Sequence, residues 1–373
     1  MKKTISIILA VILAAVMFAG CQASSTGETN SISSISTESS VVDIPDDNLN
    51  YLTGTYDLAD DMVNKRPIAV SVNNIKASWP SYGTSQADIL YEMETEGGIP
   101  RYMALFSDIS DVEQIGSVRS LRDQFIQLVY PFNAVICHIG TSIFADDVLS
   151  SLGLWTLNGY YNNSFIFVDQ SRVGSYATEH TKFTSGERIY TALEDEGIDL
   201  TYQFTDTAFN FVDPEETVVP STGEAISVTW DFSDSYDGDF RYNETTGKYE
   251  KWECGVQQID AGNNEPLAFE NVFLILAPIG YKSGSYLINL DLSTGGTAYY
   301  FSEGHYQLCN WTKNGGDFSS NFTFTDALTG SEIQVNPGQS YVAVIRTDYA
   351  DSVNITAPVS ETSTASSSTS SGS

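Results

Sequence analysis

Residues 120–153 read SLRDQFIQLVYPFNAVICHIGTSIFADDVLSSLG, and this stretch decides the fold class. Residues 120–123 resemble a capping box, and the apolar residues after them share one helical face. Residues 134–139 form a continuous apolar run, which predicts a central strand of a sheet. A second helix is predicted over 142–152, with Gly153 at its C-terminal end. This helix–strand–helix order indicates an α/β layer.

The same alternation extends to both sides of this stretch. Strands are predicted over 68–72, 88–96 and 101–107, and Gly97-Gly98 lies in a loop that can join the last two as a hairpin. A third helix is predicted to begin near Ser185 and to end before Gly197. We therefore predict an N-terminal α/β domain over residues 56–203.

After residue 204 the pattern changes to short alternating runs that are separated by turn residues, such as Gly262-Asn263-Asn264 and Asn336-Pro337-Gly338. This predicts a smaller, mostly antiparallel β domain over residues 204–350. The fold class of the whole chain is therefore expected to be α+β, with a layered α/β sheet domain first and the β-rich domain second.

The N-terminus carries a targeting signal. Lys2 and Lys3 precede an apolar run from Ile5 to Phe18, and Ala19-Gly20 precede Cys21. This pattern predicts a signal peptide over 1–20 and a diacylglyceryl group on Cys21. An uncleaved N-terminal membrane helix is the alternative, although the run is short for a span. Polar composition predicts a disordered tether over 21–55 and a disordered Ser/Thr-rich tail over 351–373.

Charge and cysteine content limit the partners. Loss of Lys2 and Lys3 lowers the formal net charge from −31 to −33, which excludes a nucleic-acid partner and favours the lipid on Cys21 as the contact with the membrane. The expected location is the outer face of the cytoplasmic membrane. Cys137 fits a buried position, whereas Cys254 and Cys309 are left free to pair or not. No Cys/His spacing suggests a zinc site, so the leading expectation is that the chain has no metal and no cofactor.

Arginine is scarce, yet Arg101, Arg119 and Arg122 lie close together in the sequence. Arg119 and Arg122 precede a predicted helix, where the partial positive charge of the helix end disfavours cations unless something compensates. Ion pairs with nearby acidic residues are one compensation. A bound carboxylate or phosphate is the other.

Asp88, Glu92, Glu94 and Glu96 alternate along a predicted strand and would share one face. A solvated face, pairing with Arg101 across the hairpin, a divalent-cation site and an acid–base pair for glycan cleavage all remain open.

Two histidines are further candidates. His138 ends the predicted central strand, and ligand sites of α/β sheets cluster beyond strand C-termini. His180 lies in a polar loop and could act with His138 as a base and its partner. A structural, hydrogen-bonded histidine is the alternative for each.

Several segments resemble the YerB-like family of lipoproteins, found mainly in Gram-positive bacteria, whose N- and C-terminal parts have no established function. The segments that carry the resemblance are Arg66-Pro67-Ile68-Ala69-Val70 with Asn73-Asn74, Ser85 to Ile89 with Tyr91-Glu92, Glu96 to Ile99 with Arg101, Ile115 to Ser120 with Arg122, Asn271-Val272, Trp311-Thr312-Lys313 and Asn336 to Gln339. The resemblance implies a two-part architecture and transfers no catalytic residue. The family usually shows Pro-His-Asn where this chain has Glu179-His180-Thr181.

The leading functional hypothesis is an envelope protein that binds a polar or anionic ligand, such as a peptidoglycan fragment, near Arg101, Arg119, Arg122 and His138. The second is an envelope hydrolase or transferase that uses His138 and His180 with an acidic residue such as Glu92 or Glu96. The third is a scaffold for other envelope proteins, which predicts an exposed apolar patch.

Overall fold

The computed structural model describes residues 48–358. The predicted signal peptide, Cys21 and most of the predicted tether lie outside these residues, as does the end of the predicted tail. Within the described part, no helix is long and apolar enough to span a bilayer.

Three α-helices lie in the described N-terminal half. Helix α1 is Asp123–Val129, α2 is Ile143–Leu152 and α3 is Gly186–Asp195. The predictions for α2 and α3 agree with the structure, because Ser142 and Ser185 cap their first turns through side-chain oxygens and Gly153 ends α2 in a left-handed conformation. Helix α1 begins without a side-chain cap, so the capping box predicted at 120–123 does not form.

The strands are numbered in chain order. They are β1 (Ile68–Asn73), β2 (Ile89–Glu94), β3 (Pro100–Phe106), β4 (Ile115–Gly116), β5 (Val135–His138), β6 (Leu157–Asn158), β7 (Phe167–Val168), β8 (Lys182–Thr184), β9 (Gly223–Glu224), β10 (Ser227–Ser233), β11 (Tyr236–Asn243), β12 (Lys248–Glu253), β13 (Val256–Gln257), β14 (Ala268–Phe269), β15 (Asn271–Ala277), β16 (Ile279–Tyr281), β17 (Ile288–Leu290), β18 (Gly296–Ser302), β19 (His305–Thr312), β20 (Thr323–Asp326), β21 (Ser340–Arg346) and β22 (Asn354–Thr356).

A large mixed sheet forms the centre of the fold, in the order β20-β19-β18-β15-β21-β2-β3-β1-β5-β6, with β9 paired to β19. Its central strands are buried on both faces, as expected for apolar runs such as Ile68–Asn73 and Asn271–Ala277. A six-stranded antiparallel sheet (β10–β14 and β22) and two small sheets (β16-β17 and β4-β8-β7) complete the α+β architecture.

The large sheet is covered on both faces. On one face, apolar residues such as Met103 and Phe273 pack with α1, α2 and β17. On the other face, residues such as Tyr102 and Tyr341 pack with the six-stranded sheet and α3. Neighbouring residues of one strand therefore point into different cores, and only polar residues on the same face of the sheet can contact each other.

The predicted boundary between domains at 203/204 falls in a segment without helices or strands, but the sheet crosses it. Strand β21 from the C-terminal part pairs in parallel with β2 from the N-terminal part, from Ile89 with Ser340 to Met93 with Val344. Residues 48–358 cluster as one compact unit.

The structure also differs from the sequence prediction at both ends of the folded part. Leu52, which lies in the predicted tether, is 1% exposed, and Asn50 donates a hydrogen bond to Asp88. At the other end, β22 lies in the predicted tail but pairs with β10. Backbone pairing orders these segments despite their polar composition.

Candidate functional site

The site lies where several parallel strands of the large sheet end. Strands β1, β5 and β6 are parallel to one another, and so are β2, β21 and β15. Strand β3 lies between β1 and β2 and is antiparallel to both, so the two groups of strands run in the same direction. Ligands of open α/β sheets bind beyond such carboxyl ends. Arg101 is the second residue of β3 at this edge, and Arg119 and Arg122 lie in the segment that follows the bridge between Val118 and β1.

Arg101 is buried, with 6% of its surface exposed. Its Nη1 donates a 2.7 Å hydrogen bond to the Ser120 carbonyl, while its buried Nε has no partner among the described residues. Burial is the main cause that lowers the pKa of the Arg101 guanidinium to about 9, and the positive charge of Arg122 adds to this effect. An acceptor close to Nε would therefore stabilise a cation that the protein leaves underpaired.

Arg119 is held by its backbone rather than by its side chain. Its N–H donates to the Ser71 carbonyl at 2.8 Å, and its own carbonyl accepts from the Ile139 N–H at 3.1 Å. The half-buried guanidinium makes no hydrogen bond or ion pair with any residue in 48–358, and Arg101 forms no ion pair there either. Two guanidiniums without carboxylate partners thus lie close together.

For Arg122, an ion pair compensates for the unfavourable position of a cation at the start of helix α1. Its Nε and Nη2 bind both carboxylate oxygens of Glu96, the second at 3.2 Å. Burial opposes ionisation of Glu96, but the hydrogen bond and charge of Arg122 outweigh it and lower the pKa of that carboxyl. The adjacent Asp123 is also paired, with Lys282 at 2.7 Å. Arg122 therefore needs no ligand.

His180 completes the cluster. Its Nδ1 lies 2.8 Å from the side-chain nitrogen of Asn73, which stands opposite Arg101 in the β1–β3 ladder. Burial lowers the pKa of His180, Glu179 opposes the shift, and the charge of Arg119 reinforces it. Because an amide nitrogen can only donate, Nδ1 accepts and the proton of the neutral ring is on Nε2.

Ser117 has an unused, buried hydroxyl in the segment that pairs with β1. Its carbonyl accepts from the Asn73 N–H at 2.9 Å, and its side chain is 2% exposed with no hydrogen-bond partner among the residues described. Neither Ser117 nor Asn73 is among the site residues that the sequence predicts. The only signal for Asn73 is a polar residue at the end of an apolar strand, and Ser117 reaches the cluster only through the pairing of 117–119 with β1.

His138 does not join the cluster, contrary to the binding hypothesis. It is fully buried, its Nδ1 donates to the Gly140 carbonyl at 2.9 Å, and its Nε2 accepts from Thr156 Oγ1 at 2.8 Å. Burial lowers the pKa of His138 to about 4, so the ring is neutral. Both ring nitrogens are used within the fold, and His138 is therefore a structural, hydrogen-bonded histidine.

Glu92 also lies elsewhere, because it points into the opposite core from Arg101. It is fully buried beside Lys251 of the six-stranded sheet, with Nζ 2.9 Å from Glu92 Oε2 and 3.1 Å from Glu253 Oε2. Asn74 and Tyr341 donate further hydrogen bonds to Glu92 at 2.7 and 2.5 Å. We call Glu92, Lys251 and Glu253 the buried triad. Neither position nor spacing in the sequence indicates that Lys251 and Glu253 of β12 belong to it.

The acidic ladder therefore forms no solvated face, and none of its members forms an ion pair with Arg101 in the described part, although the charge of Glu96 partly offsets the effect of burial on the pKa of Arg101. Glu94 pairs with Arg346 at 3.5 Å, Glu96 with Arg122, and Asp88 accepts from Asn50 at 3.0 Å. No group of three or more His, Cys, Asp or Glu side chains that could hold a metal occurs in residues 48–358. The three cysteines of this part, Cys137, Cys254 and Cys309, are free, so the open pairing of Cys254 with Cys309 does not form.

The hydrolase and scaffold hypotheses each require a particular geometry. The hydrolase hypothesis requires a histidine that is hydrogen-bonded to a carboxylate. Neither His138 nor His180 has a carboxylate among its hydrogen-bond partners in the described part. For the scaffold hypothesis, Tyr160 and Tyr161 are 75% and 85% exposed and contact each other edge to face. They follow β6 at the same edge of the large sheet.

Comparisons with known proteins identify the family of this chain. Residues 52–199 match the N-terminal domain, and residues 226–342 the C-terminal domain, of the "Protein of unknown function (DUF3048)" family. The "Putative lipoprotein YerB" of Bacillus subtilis (strain 168) is 25% identical over 287 residues, which are 76% of this chain and 82% of that protein. The crystal structure of YerB from Bacillus subtilis superimposes with a TM-score of 0.69 and covers 82% of this chain and 99% of that chain. The chain therefore belongs to the DUF3048 family and contains both of its parts.

Proposed function

We propose that this chain is a lipid-anchored protein of the outer face of the cytoplasmic membrane whose folded part binds an anionic ligand, such as a cell-wall fragment. The anchor rests on the signal pattern that ends at Cys21 and on the name of the Bacillus subtilis relative, which is called a lipoprotein. The binding role rests on the cluster of Arg101, Arg119 and His180.

One observation carries the binding proposal. Arg101 is buried with an unpartnered Nε, and neither it nor Arg119 has a carboxylate partner in the described part, in a chain with 48 acidic and 17 basic residues. With acidic side chains so abundant, two unneutralised guanidiniums at one site are the feature that needs an explanation. Buried charges are costly unless they are paired, and an anion from solution supplies the pairing.

A thermal-shift experiment tests the binding role. Full-length protein in detergent micelles is heated with muropeptides or with inorganic phosphate, alongside the variants Arg119→Gln and Arg188→Gln. Arg188 is an exposed arginine of α3 that donates to Ser164, so it is the matched control. A ligand at one hundred times its dissociation constant stabilises the folded state by about 2.7 kcal/mol.

We expect an anion to raise the melting temperature of the wild type and of Arg188→Gln, and to have little effect on Arg119→Gln. An equal response of all three proteins, or no response to any anion, would contradict the binding role.

The anchor is tested separately. Radiolabelled palmitate should enter the wild-type chain and should not enter a Cys21→Ser variant. Equal incorporation into both would contradict lipidation at Cys21.

A further inference from the structure

The charge of the cluster limits what can neutralise it. Arg122 and Glu96 neutralise each other, as do Lys282 and Asp123. The remaining charges are those of Arg101, Arg119 and the exposed Glu179, whose charge acts on His180, while His180 is neutral in its hydrogen-bonded form. The two arginines therefore present two positive charges that, within the described residues, only a solvent-screened carboxylate opposes, and a ligand with two negative charges matches the arginines.

The hydrogen-bonding groups at the site are mainly donors. Arg119 offers its whole guanidinium, and His180 offers Nε2–H because its Nδ1 accepts from Asn73. Arg101 Nε and the Ser117 hydroxyl are buried donors without a partner in residues 48–358. A ligand that only accepts hydrogen bonds, through several oxygens, satisfies such a set.

The two charges are also close in space. Arg101 Nη1 binds the carbonyl of Ser120, which directly follows Arg119, so the Arg101 guanidinium lies against the backbone next to Arg119, and the charge of Arg119 helps to lower the pKa of Arg101. A compact dianion can contact both arginines through one central group. An extended dicarboxylate would place its second charge away from the pair.

We infer that this site takes a phosphate dianion, either inorganic phosphate or the phosphate monoester of a larger molecule, rather than a singly charged carboxylate or a phosphodiester. The inference rests on the proposed anion-binding function and adds the class of ligand. A monoester phosphate carries close to two negative charges at neutral pH and three acceptor oxygens. A phosphodiester carries one charge and leaves one guanidinium unneutralised.

Isothermal titration of the full-length protein at pH 7.5 and constant ionic strength tests the inference. The probes are inorganic phosphate, glycerol 3-phosphate, dimethyl phosphate, succinate and acetate. We expect the first two to bind at least about tenfold more tightly than the other three, because only they place two charges on one group. Arg119→Gln should weaken phosphate binding about tenfold or more, and the control Arg188→Gln should leave it unchanged. Vesicles with phosphatidic acid, compared with free glycerol 3-phosphate, distinguish a lipid headgroup from a soluble source.

The outcomes separate the two levels of the proposal. Binding of dimethyl phosphate, acetate or succinate as tightly as phosphate, with loss in Arg119→Gln, would overturn the dianion inference and leave the anion site. Absence of any anion binding that depends on Arg119 would overturn both. Because Arg101 is buried, Arg101→Lys serves as a second variant: it keeps the charge but removes the Nε donor, and it should weaken phosphate binding.

Discussion

Arg101 and Lys251 are both buried cations, and they differ in their neighbours. Lys251 lies between two carboxylates at 2.9 and 3.1 Å, whereas Arg101 has only a carbonyl partner among the described residues. Removing the cation should therefore affect the free energy of unfolding differently at the two positions. Arg101→Met removes a desolvated charge and should change the free energy of unfolding little, while abolishing anion binding.

Lys251→Met should destabilise the protein, because it leaves the Glu92 and Glu253 carboxyl groups buried without the cation that lies between them. Breaking a buried ion pair in this way costs about 3–5 kcal/mol. Urea denaturation measures the loss. The triple variant Glu92→Gln/Lys251→Met/Glu253→Gln is the control and should recover most of it, since no charge then remains. A Lys251→Met variant as stable as the wild type would contradict this account of the buried triad.

The buried triad also predicts a pH dependence. Burial, with the charge of Glu92, raises the pKa of Glu253 to about 8, and burial raises the pKa of Glu94 to about 7. In the unfolded chain these carboxyls lose their protons near pH 4.5. Between pH 6.5 and 8 the folded state therefore binds more protons than the unfolded state, and stability falls as pH rises.

The expected loss is about 1.4 kcal/mol per pH unit for each proton that differs. Glu253→Gln should flatten the decline between pH 6.5 and 8, whereas Glu224→Gln, at an exposed position, should not. Urea denaturation at both pH values gives the free energies. A free energy of unfolding that rises with pH over this range in the wild type would contradict the predicted direction of the pH dependence.

At the scale of elements, predictions succeeded where the signal is local. Ser142 and Gly153 mark the two ends of α2, and Gly97-Gly98 supply the left-handed residues between β2 and β3. At helix α1 the local signal misled, because the N-cap position is Arg122 and the capping box predicted at 120–123 does not form. The candidate site shows the same limit: the arginines cluster visibly in the sequence, but the direction of the His138 hydrogen bonds and the position of Ser117 depend on strand pairing.

Gly186 at the start of α3 provides a test at this scale. A Cβ there would lie 1.7 Å from the Ile109 carbonyl oxygen, so α3 can pack this closely only with glycine. Gly186→Ala should lower the free energy of unfolding by about 1–3 kcal/mol or more. Gly280→Ala is the matched control, since nothing lies within 4 Å of its Cβ position. Equal stabilities of the two variants would contradict this packing.

At the scale of the whole molecule, the sequence does not indicate that one sheet joins both halves. Strand β21 enters between β15 and β2 and is parallel to both. Ser340 of β21 pairs with Ile89 of β2, which lies far away in the sequence, and no local sequence pattern predicts such a contact. The change in pattern after residue 204 is real, but the sheet continues across it.

Residues 48–203 alone should therefore not fold. Without β21, strand β2 becomes an open edge, and without β12 the buried Glu92 loses Lys251. Circular dichroism and urea denaturation of this fragment should show no cooperative transition, whereas the whole chain should show a single one. A fragment with its own cooperative transition would contradict the interdependence of the two halves.

The central claim is that Arg101 and Arg119 lack a counter-charge that an anion supplies. Nitrogen-15 NMR of the arginine Nε–H groups tests it directly during titration with inorganic phosphate. We predict that the Arg101 and Arg119 resonances shift together and saturate, while those of Arg122 and Arg188 change little. Unchanged Arg101 and Arg119 resonances at saturating phosphate, or equal shifts at all four arginines, would contradict the claim.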